Sequence, residues 1–233
     1  MTQHGRNVLR AGALALLLAS APSTGVWAQK AYDIGVTDTE IKIGNTMPYS
    51  GPASGWGIIG KTFSAIFRMV NDQGGVNGRK ITFISYDDAY SPPKTVEQTR
   101  KMVESDGVFL DFAPLGTGTS AAVQKYLNQK GVPQIFIGSG ASRWGDPEHF
   151  PWTIGLQPSY RSEARIYARY ILENHPGKKV GVLYQNDDFG KDYINGLKDV
   201  FGDRYATLVT SEAPFEVSTP TVDSQVLAIK SAS

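Results

Sequence analysis

Apolar and polar positions alternate along this chain in two periods that take turns. Glu40 to Asn45 alternates every second residue, as a first strand does. Ile59, Phe63, Ile66, Phe67 and Val70 then recur at helical spacing, and Gly74-Gly75 ends that helix near Asp72. The pattern repeats. A strand over Ile81 to Tyr86 ends in Asp87-Asp88, and a helix capped by Ser91, with Pro92 and Pro93 in its first turn, runs to about Glu104. A third strand opens the stretch Val108 to Ser120, and a helix follows over Ala121 to Lys130, stopped by Gly131. Gln134 to Ile137 makes a fourth strand. After an irregular Gly- and Pro-rich segment, Gln157-Pro158-Ser159 marks a boundary. Beyond it the pattern predicts a helix over Ser162 to Glu173, a strand over Val180 to Tyr184, a helix over Gly190 to Phe201, a strand over Ala206 to Thr210, and a last helix from Thr219-Pro220 carrying Val222, Val226 and Ile229 on one face.

Strands alternating with amphipathic helices imply an α/β fold of parallel sheets flanked by helices, with right-handed crossovers. Two series of such units, broken near residue 157, imply two lobes: 29–156, and an incomplete second lobe over 157–233. The second series holds too few strands to bury a comfortable core alone. The sequence is therefore expected to be the N-terminal part of a longer protein.

Residues 1–28 stand apart. Arg6 and Arg10 precede the apolar run Ala11 to Ala19, and Val26-Trp27-Ala28 ends the segment on small residues. This is the order of a cleavable secretory signal, and the apolar run is too short to span a bilayer. Cleavage after Ala28 removes two arginines and no acid, taking the formal charge from +1 to −1. The near-neutral balance, without any Lys/Arg block, gives no nucleic-acid footprint. The absence of cysteine excludes a disulfide framework, a thiol nucleophile and a lipidated N-terminal cysteine. The expected location is the periplasm.

Candidate chemistry is of the binding kind. No nucleophile–base set or metal-spaced cluster occurs, so neither enzyme activity nor a cofactor is expected. Gly55 to Thr62 matches the P-loop string, but about ten residues separate it from the preceding strand, and Trp56, Ile58 and Ile59 are bulky where phosphate-cradling backbone needs small residues. Asp87-Asp88 and Asp187-Asp188 follow strands, where acids cap the next turn. What remains are hydroxyl-rich corners. Thr117 and Thr119 follow strand three, Ser139 and Ser142 follow strand four, and Trp56 lies in the loop after strand one. Neighbouring parallel strands bring such corners to one edge, giving anion donors beside an aromatic wall.

Ile41-Lys-Ile-Gly, Ser50-Gly-Pro, Asn71-Asp-Gln-Gly-Gly-Val-Asn-Gly, Tyr86-Asp-Asp, Gly138-Ser-Gly-Ala-Ser and Tyr184-Gln-Asn-Asp-Asp-Phe-Gly carry a resemblance. Across nearly all of residues 40–233 the chain resembles the leucine/isoleucine/valine-binding family of periplasmic solute-binding proteins of ABC transporters. The resemblance implies a type I two-lobe fold that closes on a small ligand, a branched-chain amino acid or an aromatic acid. It implies no catalysis, a monomer, and an ABC permease in the inner membrane as partner. A ligand sensor of the same fold, signalling through closure, is the alternative. By resemblance Thr117 binds the ligand carboxylate, Gly140 offers a carbonyl to the ammonium, Ser142 adds a hydroxyl, Trp56 packs on the side chain and Phe189 closes from the second lobe. Thr119, Ser139, Ala141 and Tyr160 lie close enough to join them. The family's acidic partner for the α-ammonium falls beyond Ser233.

Overall fold

The computed structural model describes residues 31–232; the proposed signal over 1–28 lies outside them. Five parallel strands form the first sheet: β1 (Glu40–Met47), β2 (Lys80–Asp87), β3 (Leu110–Phe112), β4 (Gln134–Ile137) and β5 (Thr153–Gly155), in the order β2-β1-β3-β4-β5. The chain steps from β1 outward to β2, then returns past β1 to β3 and beyond. Strand order therefore reverses beside β1. In open sheets of this kind, the crevice outside the carboxyl ends at such a reversal is where ligands sit.

The helices between these strands are α1 (Ile58–Asp72), α2 (Pro92–Lys101) and α3 (Thr117–Lys130). α1 lies on one face of the sheet. Its Phe63 and Phe67 meet Phe83 of β2 and Phe112 of β3 edge-on or tilted, with ring centroids 5.0 to 6.5 Å apart. Such contacts add about 0.5–1.5 kcal/mol each beyond the area they bury. Ile66, expected on the same stripe, is exposed. Met102, Val123 and Leu127, from the segments carrying α2 and α3, are fully buried. Gly131, in the left-handed region at φ 66°, ends α3.

The second sheet has two parallel strands, β6 (Val180–Gln185) and β7 (Val209–Phe215). They pack with α4 (Tyr160–Asn174), α5 (Asp188–Phe201), the short α6 (Tyr205–Leu208) and α7 (Asp223–Ser231). Ala168, Leu197, Phe201, Leu208 and Val209 form its core. α4 and α5 touch closely at Gly196, where a Cβ would come within 2.5 Å of both Arg161 and Ala164. Both helices start on side-chain caps: Ser159 accepts the Ser162 N–H, and Asp187 accepts the Phe189 and Gly190 N–H groups. Both sheets belong to one compact unit from Tyr32 onward.

Four expectations need correction. Thr153–Gly155 is a strand rather than irregular chain; three residues are too few for a period to show, and pairing with β4 through Gln134 and Ile135 makes it one. Ala206 to Leu208 are helical, and β7 begins only at Val209. Short apolar runs suit either state, and here the chain leaves α5 through a further turn that stacks Tyr205 beside Phe201. Residues 117–120 are the first turn of α3 rather than a loop before it. Ser91 occupies the N-cap position of α2 but its side chain makes no capping bond; Asp88 accepts from the Thr95 hydroxyl instead.

One buried acid has consequences for stability. Asp111 of β3 is 1% exposed, and neither carboxylate oxygen has a hydrogen-bond partner. Burial pushes its carboxyl up to about 7. An aspartate in the unfolded chain ionises near pH 4. Between about pH 4 and 7 the folded protein therefore keeps a proton that the unfolded chain releases, and stability falls as pH rises through that window. The full difference is on the order of 4 kcal/mol above pH 7. Asp111→Asn has no proton to lose. Its melting temperature relative to the parent should rise between pH 5 and pH 8; parallel melting curves across that range would refute this account.

Candidate functional site

The carboxyl ends of β1, β3 and β4 and those of β6 and β7 border one cavity of about 640 Å³. The loop after β1 contributes Pro52, Ala53 and Trp56, the last on a single helical turn over Ser54–Gly57 and 60% exposed. The segment after β3 contributes Leu115, Gly116 and Thr117, and the one after β4 contributes Gly138. The other side is made by Tyr160 of α4, Gln185 at the end of β6, Phe189 and Tyr193 of α5, and Phe215 and Val217 at and beyond the end of β7.

Backbone pairing brings the two first-sheet corners together. Leu115 and Gly138 form a parallel bridge, the Gly138 N–H donates to Pro114 and the Gly116 N–H to Gly138. Gly116 cannot carry a side chain here. Its φ is 103°, and a Cβ would fall 2.5 Å from the Tyr90 ring and 2.6 Å from the Thr119 hydroxyl. Tyr90 itself holds a left-handed backbone, φ 57°, and burial raises its phenol pKa.

Donor and acceptor counting fixes the direction of one proton. The Ser139 hydroxyl is fully buried and lies 2.7 Å from the Thr117 hydroxyl. The Trp144 indole N–H donates to Ser139 Oγ at 3.0 Å, and the Ala141 N–H donates to it at 3.2 Å. A serine hydroxyl has two lone pairs and one proton. With both lone pairs taken, Ser139 donates its proton to Thr117. The Thr117 proton then points elsewhere, and Thr117 lines the cavity at the first turn of a 14-residue helix. The free N–H groups and positive end of that helix favour the same kind of partner, an acceptor with negative charge.

Trp56, Thr117, Phe189 and Tyr160 line the cavity; Gly140, Ser142, Thr119, Ser139 and Ala141 do not. Ser139 supports Thr117 from behind. The Thr119 hydroxyl donates to Leu115 O at 2.6 Å, the ordinary back-bond of a helical threonine, and Thr119 borders a neighbouring cavity with Asp187 and Glu216. The Gly140 carbonyl accepts the Tyr160 N–H at 2.7 Å, which ties the start of α4 to this corner. Ser142 is exposed, and its N–H donates to Asp192 at 2.6 Å. Ala141 and Trp144 are core, packed with Ile137.

Asp87, Asp88 and Asp187 cap turns, and Asp188 does not. Asp87 accepts from the Tyr49, Ser50 and Ala89 N–H groups, the Ser50 hydroxyl and Lys94. These bonds hold its carboxyl well below the usual range although burial works against them. Asp188 pairs with Arg143 at 2.7 Å. Among the described residues no group of three His, Asp or Glu is placed to hold a metal ion, and no helix is long and apolar enough to cross a membrane.

Sequence reasoning missed Tyr90, Gln185, Tyr193, Phe215 and Val217. Gln185 had a signal, being the last residue of a strand whose carboxyl end faces the site. Tyr193 had another: it follows Phe189 by four, so one helix stripe carries both. Tyr160, Phe189 and Tyr193 pack as one aromatic group, with centroids 4.7 to 5.5 Å apart. Glu163 accepts the Tyr193 hydroxyl at 2.7 Å and, with burial, raises its phenol pKa.

Comparison with known proteins agrees with this architecture. A Leu/Ile/Val-binding protein homologue of Brucella melitensis is 28% identical over 166 residues, 70% of this chain and 43% of the relative. The crystal structure of a substrate-binding periplasmic protein from Ralstonia solanacearum superposes with a TM-score of 0.71 at 25% identity, covering 80% of this chain and 52% of that one. A solute-binding protein from R. palustris in complex with benzoate superposes with a TM-score of 0.69 at 22% identity, covering 82% and 52%. The chain thus spans about half the length of the relatives it matches. The model of the periplasmic binding protein family matches residues 40–233, and the chain belongs to that family.

Proposed function

We propose that the cavity captures a small carboxylate with an apolar or aromatic tail, and that the protein is the periplasmic solute-binding component of an ABC transporter. The observation that carries this reading is the Thr117 hydroxyl, whose proton is left for a partner in the cavity by the saturated Ser139 behind it. The acid head group lies against Thr117 and the first N–H groups of α3. The tail lies between Trp56 on one side and Phe189, Tyr160 and Tyr193 on the other. The leucine, isoleucine and valine of the Brucella relative's name and the benzoate of the R. palustris complex share this chemistry, an acid beside an apolar group.

The rest of the reading concerns motion. The first sheet with its helices and the second sheet with its helices act as two lobes divided near residue 157, closing on the ligand as a hinged pair. Binding favours the closed state to the extent that ligand touches both sides, and a permease reads closure. No covalent step is involved. Gly140 and Ser142 have a supporting role, since their backbone groups are already engaged by Tyr160 and Asp192.

Calorimetry with benzoate and with L-leucine tests this directly. At least one should bind with 1:1 stoichiometry, and binding of neither would sink the proposal. Thr117→Ala should weaken the binding ligand by about 1–3 kcal/mol, roughly 5- to 150-fold in Kd, the range for leaving a charged acceptor underbonded. Ser139→Ala removes the acceptor of two buried N–H groups and should lower stability by about 1–3 kcal/mol in urea denaturation. An unchanged denaturation midpoint for that variant would show that Ser139 does not hold those donors.

A further inference from the structure

α5 carries three carboxylates; Asp199 is held by Arg161 and Arg165 of α4, while Asp188 and Asp192 each stand one residue before a ring that lines the cavity, Phe189 and Tyr193. At 100° per residue these two acids form one stripe and the rings the next. Both acids reach across to the first sheet's side. Asp188 takes Arg143 Nη1 at 2.7 Å, and Asp192 takes the Ser142 N–H at 2.6 Å. Arg143 is itself anchored. Its Nε and Nη2 donate to Gln124 Oε1 of α3 at 3.2 and 2.9 Å, and Gln124 is 1% exposed. Its guanidinium also lies 5.5 Å from the buried Trp144 ring.

We propose that Arg143, with the Ser142 N–H, is a positioning residue that clamps α5 to α3 and so sets both the closure of the cleft and the rotation of α5 that turns Phe189 and Tyr193 to the cavity. The assignment rests on the binding function proposed above. A single surface ion pair contributes little, because solvent screens it and ordering two side chains costs entropy. Two attachment points one helical turn apart are different, because together they oppose rotation of α5 about its axis as well as separation. The ordered Gln124 fork adds to this, since Arg143 loses little further freedom on meeting Asp188. The clamp is partly charged and half exposed, so salt must weaken it.

The chain has no cysteine, so Lys61→Cys on α1 and Arg169→Cys on α4, both at exposed positions, give a clean pair for spin labels. In the ligand-free protein, Arg143→Gln and Asp192→Ala should each lengthen and broaden the label-to-label distance. Raising salt should do the same to the parent protein and much less to Arg143→Gln. The parent's salt response needs no folded variant. Distances indifferent to salt and to both substitutions would overturn the clamp even if benzoate or L-leucine binds. Distances that respond while neither ligand binds would leave the clamp standing and remove the proposed function. Where a ligand binds, Arg143→Gln should weaken it several-fold, and Arg143→Lys should restore part of the loss; equal affinity of parent and Arg143→Gln would exclude the positioning role.

Discussion

A buried serine with no lone pair to spare governs this molecule's chemistry. Ser139 takes two N–H donors, from the Trp144 ring and the Ala141 backbone, so its own proton goes to Thr117. The two hydroxyls lie 22 residues apart in sequence and meet only because β3 and β4 are neighbours whose following segments are bridged at Leu115 and Gly138. Sheet order is thus converted into proton direction. A hydroxyl in open water points wherever solvent allows. Here the orientation is settled by the fold itself.

The rest of the first sheet serves that arrangement. Strand order reverses beside β1, which leaves the ends of β1 and β3 uncovered and sets the Trp56 loop beside the start of α3. Gly116 lets the chain turn into α3 under the Tyr90 ring, where any side chain would collide. The second sheet's side supplies the rings of Tyr160, Phe189 and Tyr193 together with Gln185 to the same space, and it holds the α5 rings through a helix fastened at Asp188 and Asp192.

The buried polar set behind the site runs against economy of packing. Thr46, Thr99, Asp111, Ser120 and Gln134 each leave a buried oxygen without a partner. An orphaned buried oxygen costs stability, and for Asp111 the remedy is to hold its proton near neutral pH. These residues lie on β1, β3 and β4, whose carboxyl ends border the cavity, on α3, which starts there, and on α2.

Periodicity alone determined the βα alternation and most of the apolar stripe of α1, because those depend on which residues neighbour one another along the chain. The glycine and hydroxyl run from Gly116 to Ser120 likewise announced a helix start. Tertiary structure decided the rest. Nothing local says that Ser139 is an internal prop while Thr117 faces the cavity, since both are hydroxyls at the ends of strands; the difference lies in Trp144 folding back onto one of them. Tyr90 and Tyr193 entered the site for the same reason, and Gly140 and Ser142 left it once the Tyr160 N–H and Asp192 engaged their backbones. Which strand is each strand's neighbour, and which acceptor is already filled, are properties of contacts distant in sequence, and no window along the chain contains them.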